Sequence, residues 1–243
     1  MTFADLHQPG NPLVLPNAWD YGSAVFLAAR GYRAIGTTSL GVSAVHGKPD
    51  AAAATKAETL DLVDLLKGLP AYLTVDIENG FGDDPAAIAD LVDLLASMGV
   101  AGVNLEDGRA DGTLRPIAEQ TRILEAITGR GVFVNARTDT LWLATGDDTI
   151  ERVRAYSATG ADGIFVPGAS DLGTIANIVE STPLPLNVLY GLPVEELAGV
   201  GVARISTGSL LYRAALQGAL AVLDKNAALP TYAEIAGLLP QPR

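Results

Sequence analysis

Eight times along this 243-residue sequence, a short apolar run rich in β-formers ends in polar or small residues and gives way to a longer Ala- and Leu-rich stretch with helical spacing. The strands read as residues 13–18, 34–39, 72–78, 102–107, 132–138, 163–167, 186–190 and 204–207. The helices read as residues 21–30, 55–67, 85–97, 117–128, 149–159, 171–181, 194–198 and 210–224, the seventh being short. Runs apolar throughout suit strands covered on both faces, which parallel sheets require. Glycine-bearing turns of similar wording precede three strands, at residues 98–102, 159–163 and 200–203, as a helix-to-strand return does. Pro85 after Asp84 suits the first turn of a helix.

Eight βα units in about 240 residues, with no linker or charge run, predict one TIM (β/α)8 barrel domain over residues 1–243. A doubly wound open sheet is the alternative. A short amphipathic segment, residues 232–239, follows the eighth unit as a C-terminal helix. It packs either on the barrel or on a neighbouring subunit.

Charge narrows the functions. With 28 Asp plus Glu against 16 Lys plus Arg, the net charge of −12 argues against nucleic-acid partners and a polybasic membrane anchor. The absence of Cys removes disulfides, thiolate metal sites and a catalytic thiol. No basic-then-apolar leader and no run of about 18 apolar residues occurs, so the expectation is a soluble, cytoplasmic chain. Neither a P-loop nor a nucleophile elbow is present.

In a barrel, chemistry gathers at the carboxyl ends of the strands. There the sequence places Asn17, Trp19 and Asp20; Thr38 and Ser39; Asp76 and Glu78; Glu106 and Asp107; Asn135, Arg137 and Asp139; Asn187; and Thr207 with Ser209. Asp76 and Glu78, two apart, point to one side of their strand. Converging carboxylates require a raised pKa, an arginine or a hard cation. With two His and no Cys, Mg2+ or Mn2+ is favoured over zinc. Arg137 suits a bidentate clamp on a substrate anion, or else an ion pair with Asp139 or Glu106. The turn through Ser39, Leu40 and Gly41 offers backbone N–H groups for an anion. His46 and Lys48 read as solvated loop residues, His7 as incidental, and Trp19 and Tyr190 as packing.

Four segments together carry a resemblance: Pro16-Asn17-Ala18-Trp19-Asp20, Asp76-Ile77-Glu78-Asn79-Gly80-Phe81-Gly82, Asn104-Leu105-Glu106-Asp107 and Asn135-Ala136-Arg137-Thr138-Asp139. In this order, one to a barrel unit, they resemble the isocitrate lyase and phosphoenolpyruvate mutase superfamily over residues 11–223. The resemblance implies a TIM barrel, a Mg2+ cofactor, and small 2-oxo or 2-hydroxy acid substrates whose carbon–carbon or carbon–phosphorus bond is made or broken. It implies Asp76, Glu78 and Glu106 at the metal, Asp76 most directly. Ser39, Leu40, Gly41, Arg137 and Asn187 fall to the substrate, and Asp50, Glu106 and Arg137 to catalysis. It further implies a homo-oligomer, dimer or tetramer.

The resemblance breaks in one loop. Where the lyase branch carries a catalytic Cys, residues 108–116 read Gly-Arg-Ala-Asp-Gly-Thr-Leu-Arg-Pro, without Cys, His or Lys. What remains is the binding and polarising part of the site. The expectation is a Mg2+-dependent lyase or hydrolase cleaving a carbon–carbon bond. The alternatives are a carbon–phosphorus bond enzyme, for which Asp50 speaks, and a non-catalytic oxo-acid sensor. Residues 108–116 form a hypothetical lid, in which Arg109 or Arg115 either meets a second carboxylate or stands as an exposed loop cation offsetting local acids.

Overall fold

The computed structural model describes residues 1–145 and 148–223. Among them nine parallel strands form one sheet: β1 (Leu13–Leu15), β2 (Asn17–Ala18), β3 (Ala34–Thr37), β4 (Tyr72–Asp76), β5 (Gly102–Glu106), β6 (Phe133–Arg137), β7 (Gly163–Phe165), β8 (Leu186–Leu189) and β9 (Arg204–Ser206). The order is β1-β9-β8-β7-β6-β5-β4-β3-β2, so the two ends of the sheet are consecutive pieces of chain. The expected first strand, 13–18, is therefore split at Pro16. Its first half pairs with β9 and its second with β3, and this closes the barrel. Proline lacks the N–H a continuous ladder needs. Asn17 stitches the seam from both sides, with Nδ2 donating to Thr37 O at 2.7 Å and Oδ1 accepting from Gly208 N at 2.9 Å.

Helices α1 (Tyr21–Ala29), α2 (Ser39–Val45), α3 (Lys56–Leu65), α4 (Pro85–Ser97), α5 (Ile117–Ile127), α6 (Thr149–Ser157), α7 (Leu172–Glu180), α8 (Val194–Gly199) and α9 (Leu210–Leu223) alternate with the strands. A single 3-10 turn, Ala4–Leu6, precedes them. α4 shows why they form. Asp84 caps Ala86 N at 3.0 Å, Pro85 opens the first turn, and Ile88, Leu91, Val92 and Leu95 recur at helical spacing on the buried face. These residues join the strand residues Val75, Val103, Val134, Ile164, Val188 and Ile205 in one continuous main core. None of the described helices is long and apolar enough to cross a membrane.

Two elements depart from expectation. α2 occupies what the sequence suggested was an irregular turn; its Gly and two Val are weak helix formers. Gly41 is needed for packing, since a Cβ there would lie 2.6 Å from Trp19 Cβ. His7 is not incidental either. It is buried, stacked on Phe133 at 4.3 Å between ring centres, and met edge-on by Phe3 at 4.9 Å. The segment at 232–239 lies outside the described residues.

Candidate active site

At the carboxyl ends of the strands a small open pocket is lined by a polar arc and an apolar wall. The polar arc includes Asn17, Ser39, Asp76, Asn104, Arg137 and Ser206; Trp142, Phe165 and Leu189 belong to the wall.

Asp76 ends β4 and is held by the chain around it. Its backbone N–H donates to Thr37 Oγ1 at 2.9 Å, and its Oδ2 accepts from Ser39 N, in the first turn of α2, at 3.4 Å. Of the residues expected in the site, Ser39, Leu40, Asp76 and Arg137 line this pocket. Gly41 lies behind it on Trp19. Asn187 sits beneath, its Oδ1 accepting from Ser206 Oγ at 3.1 Å.

Glu78 is buried, with a positive φ of 49°. Its carboxyl turns toward the segment that follows α2, accepting from Ala53 N at 2.8 Å and Thr55 Oγ1 at 2.6 Å. Ala53 also holds a positive φ, 54°. Two strained residues thus hold each other, as happens where surrounding structure over-determines a site. Burial pushes the Glu78 carboxyl up to about 7, against those two hydrogen bonds, and the charges of Asp76 and Asp50 add to the rise. Asp50 reaches the site through this charge and not as a lining residue.

Glu106 and Asp107, adjacent on the chain, part company because successive strand side chains face opposite ways. Glu106 Oε2 pairs with Arg137 Nη1 at 2.7 Å. Asp107 faces the helix layer, accepting from Tyr156 OH at 2.8 Å and Arg152 Nη1 at 3.1 Å. Arg137 also grips Asp139 with two N–H groups, at 2.6 and 3.0 Å, so it makes both ion pairs that the sequence offered as its alternative to a clamp. Burial raises the Glu106 carboxyl well above its ordinary value and the Asp139 carboxyl above its own, against the lowering effect of the Arg137 charge. For Arg137, burial works the other way but is overridden by Asp139, Glu106 and Asp76, which keep it a cation.

The donor chemistry suits a hard divalent cation. Four carboxyls, Asp76, Glu78, Glu106 and Asp139, act on one another around a single guanidinium in direct contact, and a second positive ion relieves that excess. Among the described residues no three His, Asp or Glu side chains converge to cage an ion. The three acids expected at a metal, Asp76, Glu78 and Glu106, are thus not gathered into one cage, and of them Asp76 lines the pocket; Mg2+ keeps several waters and takes one or two carboxylates.

The segment expected to act as a lid is tied down. Gly108 and Leu114 form an antiparallel bridge, and Arg109 N donates to Thr113 O at 2.9 Å. Arg115 is fully buried and bonds to Asp83 Oδ1 at 2.9 Å, Gln120 Oε1 at 2.6 Å and the carbonyls of Asn79 and Gly82. It is a structural tie and not a substrate arginine. Arg109 pairs with Glu119 on the surface at 2.9 Å. His46 ends α2, its Nδ1 on Val42 O at 2.9 Å, in keeping with a non-catalytic place. Sequence reasoning missed Asn104, Trp142, Phe165 and Leu189 as lining, and the buried Arg204 beneath them. Asn104 opens one of the four segments that carry the resemblance, and Arg204 left a signal as an arginine opening an otherwise apolar strand.

Residues 3–226 match the family model described as phosphoenolpyruvate phosphomutase. An uncharacterized protein of Mycobacterium tuberculosis is 46% identical over 226 residues, spanning 90% of this chain and 86% of its own length. An oxaloacetate decarboxylase of Bradyrhizobium sp. BTAi1 is 31% identical over 189 residues, 72% of this chain and 62% of that protein. A crystal structure from Burkholderia cenocepacia J2315, provisionally named a phosphonomutase, superposes with a TM-score of 0.84 at 35% identity, covering 92% of this chain and 98% of its own.

Proposed function

The chain belongs to the phosphoenolpyruvate phosphomutase family, a family of enzymes, and from that premise we propose that it is a Mg2+-dependent lyase or hydrolase cleaving a carbon–carbon bond of a small 2-oxo or 2-hydroxy carboxylic acid. The observation that carries the reading is Asp76, set in one pocket between the first-turn amide of Ser39 and the guanidinium of Arg137. A carboxylate recruits a hard cation, and N–H donors beside it receive the acid that chelates the cation.

In this reading Asp76 is the direct protein ligand, while Glu78 and Glu106, whose oxygens are engaged by Thr55, Ala53 and Arg137, act through water. Mg2+ held there would supply Lewis-acid polarisation of a 2-oxo group. Ser39 and the amide of Leu40 receive the 2-carboxylate, with Gly41 letting the turn pack on Trp19 behind them, and Arg137 receives a second anionic group, exchanging part of its contact with Glu106 or Asp139 for it. Glu106 holds the Arg137 guanidinium in place for that anion through their ion pair. Asp50 contributes through Glu78, and Asn187 through Ser206. Similarity to an oxaloacetate decarboxylase supports a four-carbon 2-oxo diacid as first candidate. Carbon–phosphorus chemistry is the second reading, favoured by the phosphonomutase-type match.

The test is NMR observation of oxaloacetate, 2-oxoglutarate, isocitrate, methylisocitrate and phosphonopyruvate with metal-stripped protein, with and without Mg2+. The Asp76→Asn variant serves as the control for uncatalysed loss. With Mg2+ present, one acid should disappear faster with the native protein than with the variant. Equal rates for native and variant protein with every acid would refute the reading, and conversion of phosphonopyruvate alone would establish the second.

A further inference from the structure

Arg204, on β9, is fully buried, and no described carboxylate forms an ion pair with it. Its side chain crosses the barrel interior to β5, four places away in the sheet order, where Nη2 donates to Asn104 Oδ1 at 3.2 Å. Nε donates to Ser206 Oγ at 3.0 Å, and that hydroxyl donates in turn to Asn187 Oδ1. Nη1 has no hydrogen-bond partner, and neither has Asn187 Nδ2. Asn104 and Ser206, the two side chains the guanidinium holds, both line the pocket. Arg204 therefore lies immediately below the pocket floor.

A cation buried without a counter-ion is unfavourable for folding. Burial pulls the Arg204 pKa down to about 9, and the charge of Asp76, in the pocket above, works against that fall. At neutral pH the group stays charged. In a barrel interior of low polarizability its field reaches the pocket with little screening. The missing partner is then supplied from above, by Asp76 and by whatever anion the pocket receives.

We propose that Arg204 is a positioning residue: a fixed positive charge under the pocket floor that holds Asn104 and Ser206 in line and favours a bound oxo-acid anion. This rests on the functional reading of the same site. The charge acts with opposite sign on the two things the site binds. Neutralising it must weaken the anion while leaving a divalent cation at Asp76 bound as tightly as before, or more tightly. A local collapse of the floor would weaken both.

Isothermal titration of metal-stripped native protein, Arg204→Met and Arg204→Lys with Mn2+ alone, and then with oxalate at saturating Mn2+, separates these outcomes. The Met variant should lose roughly tenfold or more in oxalate affinity, with its Kd for Mn2+ unchanged or lower. The Lys variant, which keeps the charge, should recover most of the loss. Unchanged oxalate affinity in the Met variant, parallel weakening of Mn2+ and oxalate, or no recovery with Lys would each overturn the assignment. Native protein that binds neither Mn2+ nor oxalate would refute the functional reading and this inference with it. Native binding indifferent to the Arg204 charge would refute this inference alone.

Discussion

His7 makes the stability of this barrel sensitive to acid in a way one substitution isolates. Its imidazole lies against Phe133 and Phe3, with Nδ1 on Phe3 O at 3.1 Å and no hydrogen-bond partner for Nε2. Burial, helped by the positive charge of Arg204, lowers its pKa from 6.5 to about 4. The folded state thus binds the proton less well than the unfolded chain. The stability is fully present above pH 6.5 and is lost as pH falls toward 4. The whole gap corresponds to about 3 kcal/mol, of which about 2 kcal/mol is lost between pH 7 and pH 5. Carboxyls with raised pKa, such as Glu78 and Glu106, change stability in the opposite sense over that range, so the comparison needs a variant. Urea unfolding of native protein and His7→Phe at pH 7 and pH 5 should show the native protein losing about 2 kcal/mol more than the variant. The sequence holds two His, so NMR titration can follow His7 directly. The same pH dependence in both proteins, or a His7 that titrates near its ordinary value, would refute the reasoning.

Thr55→Val removes the hydroxyl that donates to Glu78 Oε1. Since this bond favours the ionised carboxyl, urea titrations should show a loss of about 1.5–3 kcal/mol at pH 8 that shrinks at pH 5, where Glu78 is protonated; equal losses at both would contradict the geometry. Gly36→Ala brings a Cβ to 2.5 Å from Asn17 Nδ2 and 3.1 Å from Leu15 Cδ2 at the barrel seam. A loss of about 1–3 kcal/mol is expected in thermal melts, with weakened ligand binding because Asn17 lines the pocket, and an unchanged Tm would show that the seam gives way freely. Arg115→Met should lower stability by about 2–3 kcal/mol by leaving Gln120 and two carbonyls without their donor. An unaltered Tm coupled to a raised KM would return Arg115 to the substrate.

Much of this molecule is readable from residues alone. The alternation of apolar strand and amphipathic helix is local, so α4 comes out residue for residue as expected, and Asp84 and Pro85 mark its start. Parallel pairing of eight such units leaves few topologies, and strand-end polarity follows from where loops converge. Asp76 and Arg137 were legible on that ground, and the structure places both in the pocket wall. The chain could not show on its own which carboxyls face inward after a strand bends. Glu78 leaves the strand with a positive φ, and so its carboxyl joins Ala53 and Thr55.

The same limit separates residues that look alike in the sequence. Arg115 and Arg109 are both loop arginines in sequence, yet one is buried against the turn at residues 79–83 and the other is paired on the surface. α2 forms despite weak local preference because Leu40, Gly41 and Val42 are buried, with Gly41 packed on Trp19. His7 and Arg204 are near opposite ends of the chain, and only closure of the barrel brings their charges within reach of one another. Strand, helix and their order follow from near-neighbour periodicity, which the sequence carries by itself. Burial, and with it the proton affinity and partner of each ionisable group, depends on residues scores of positions apart, and only the tertiary structure decides those.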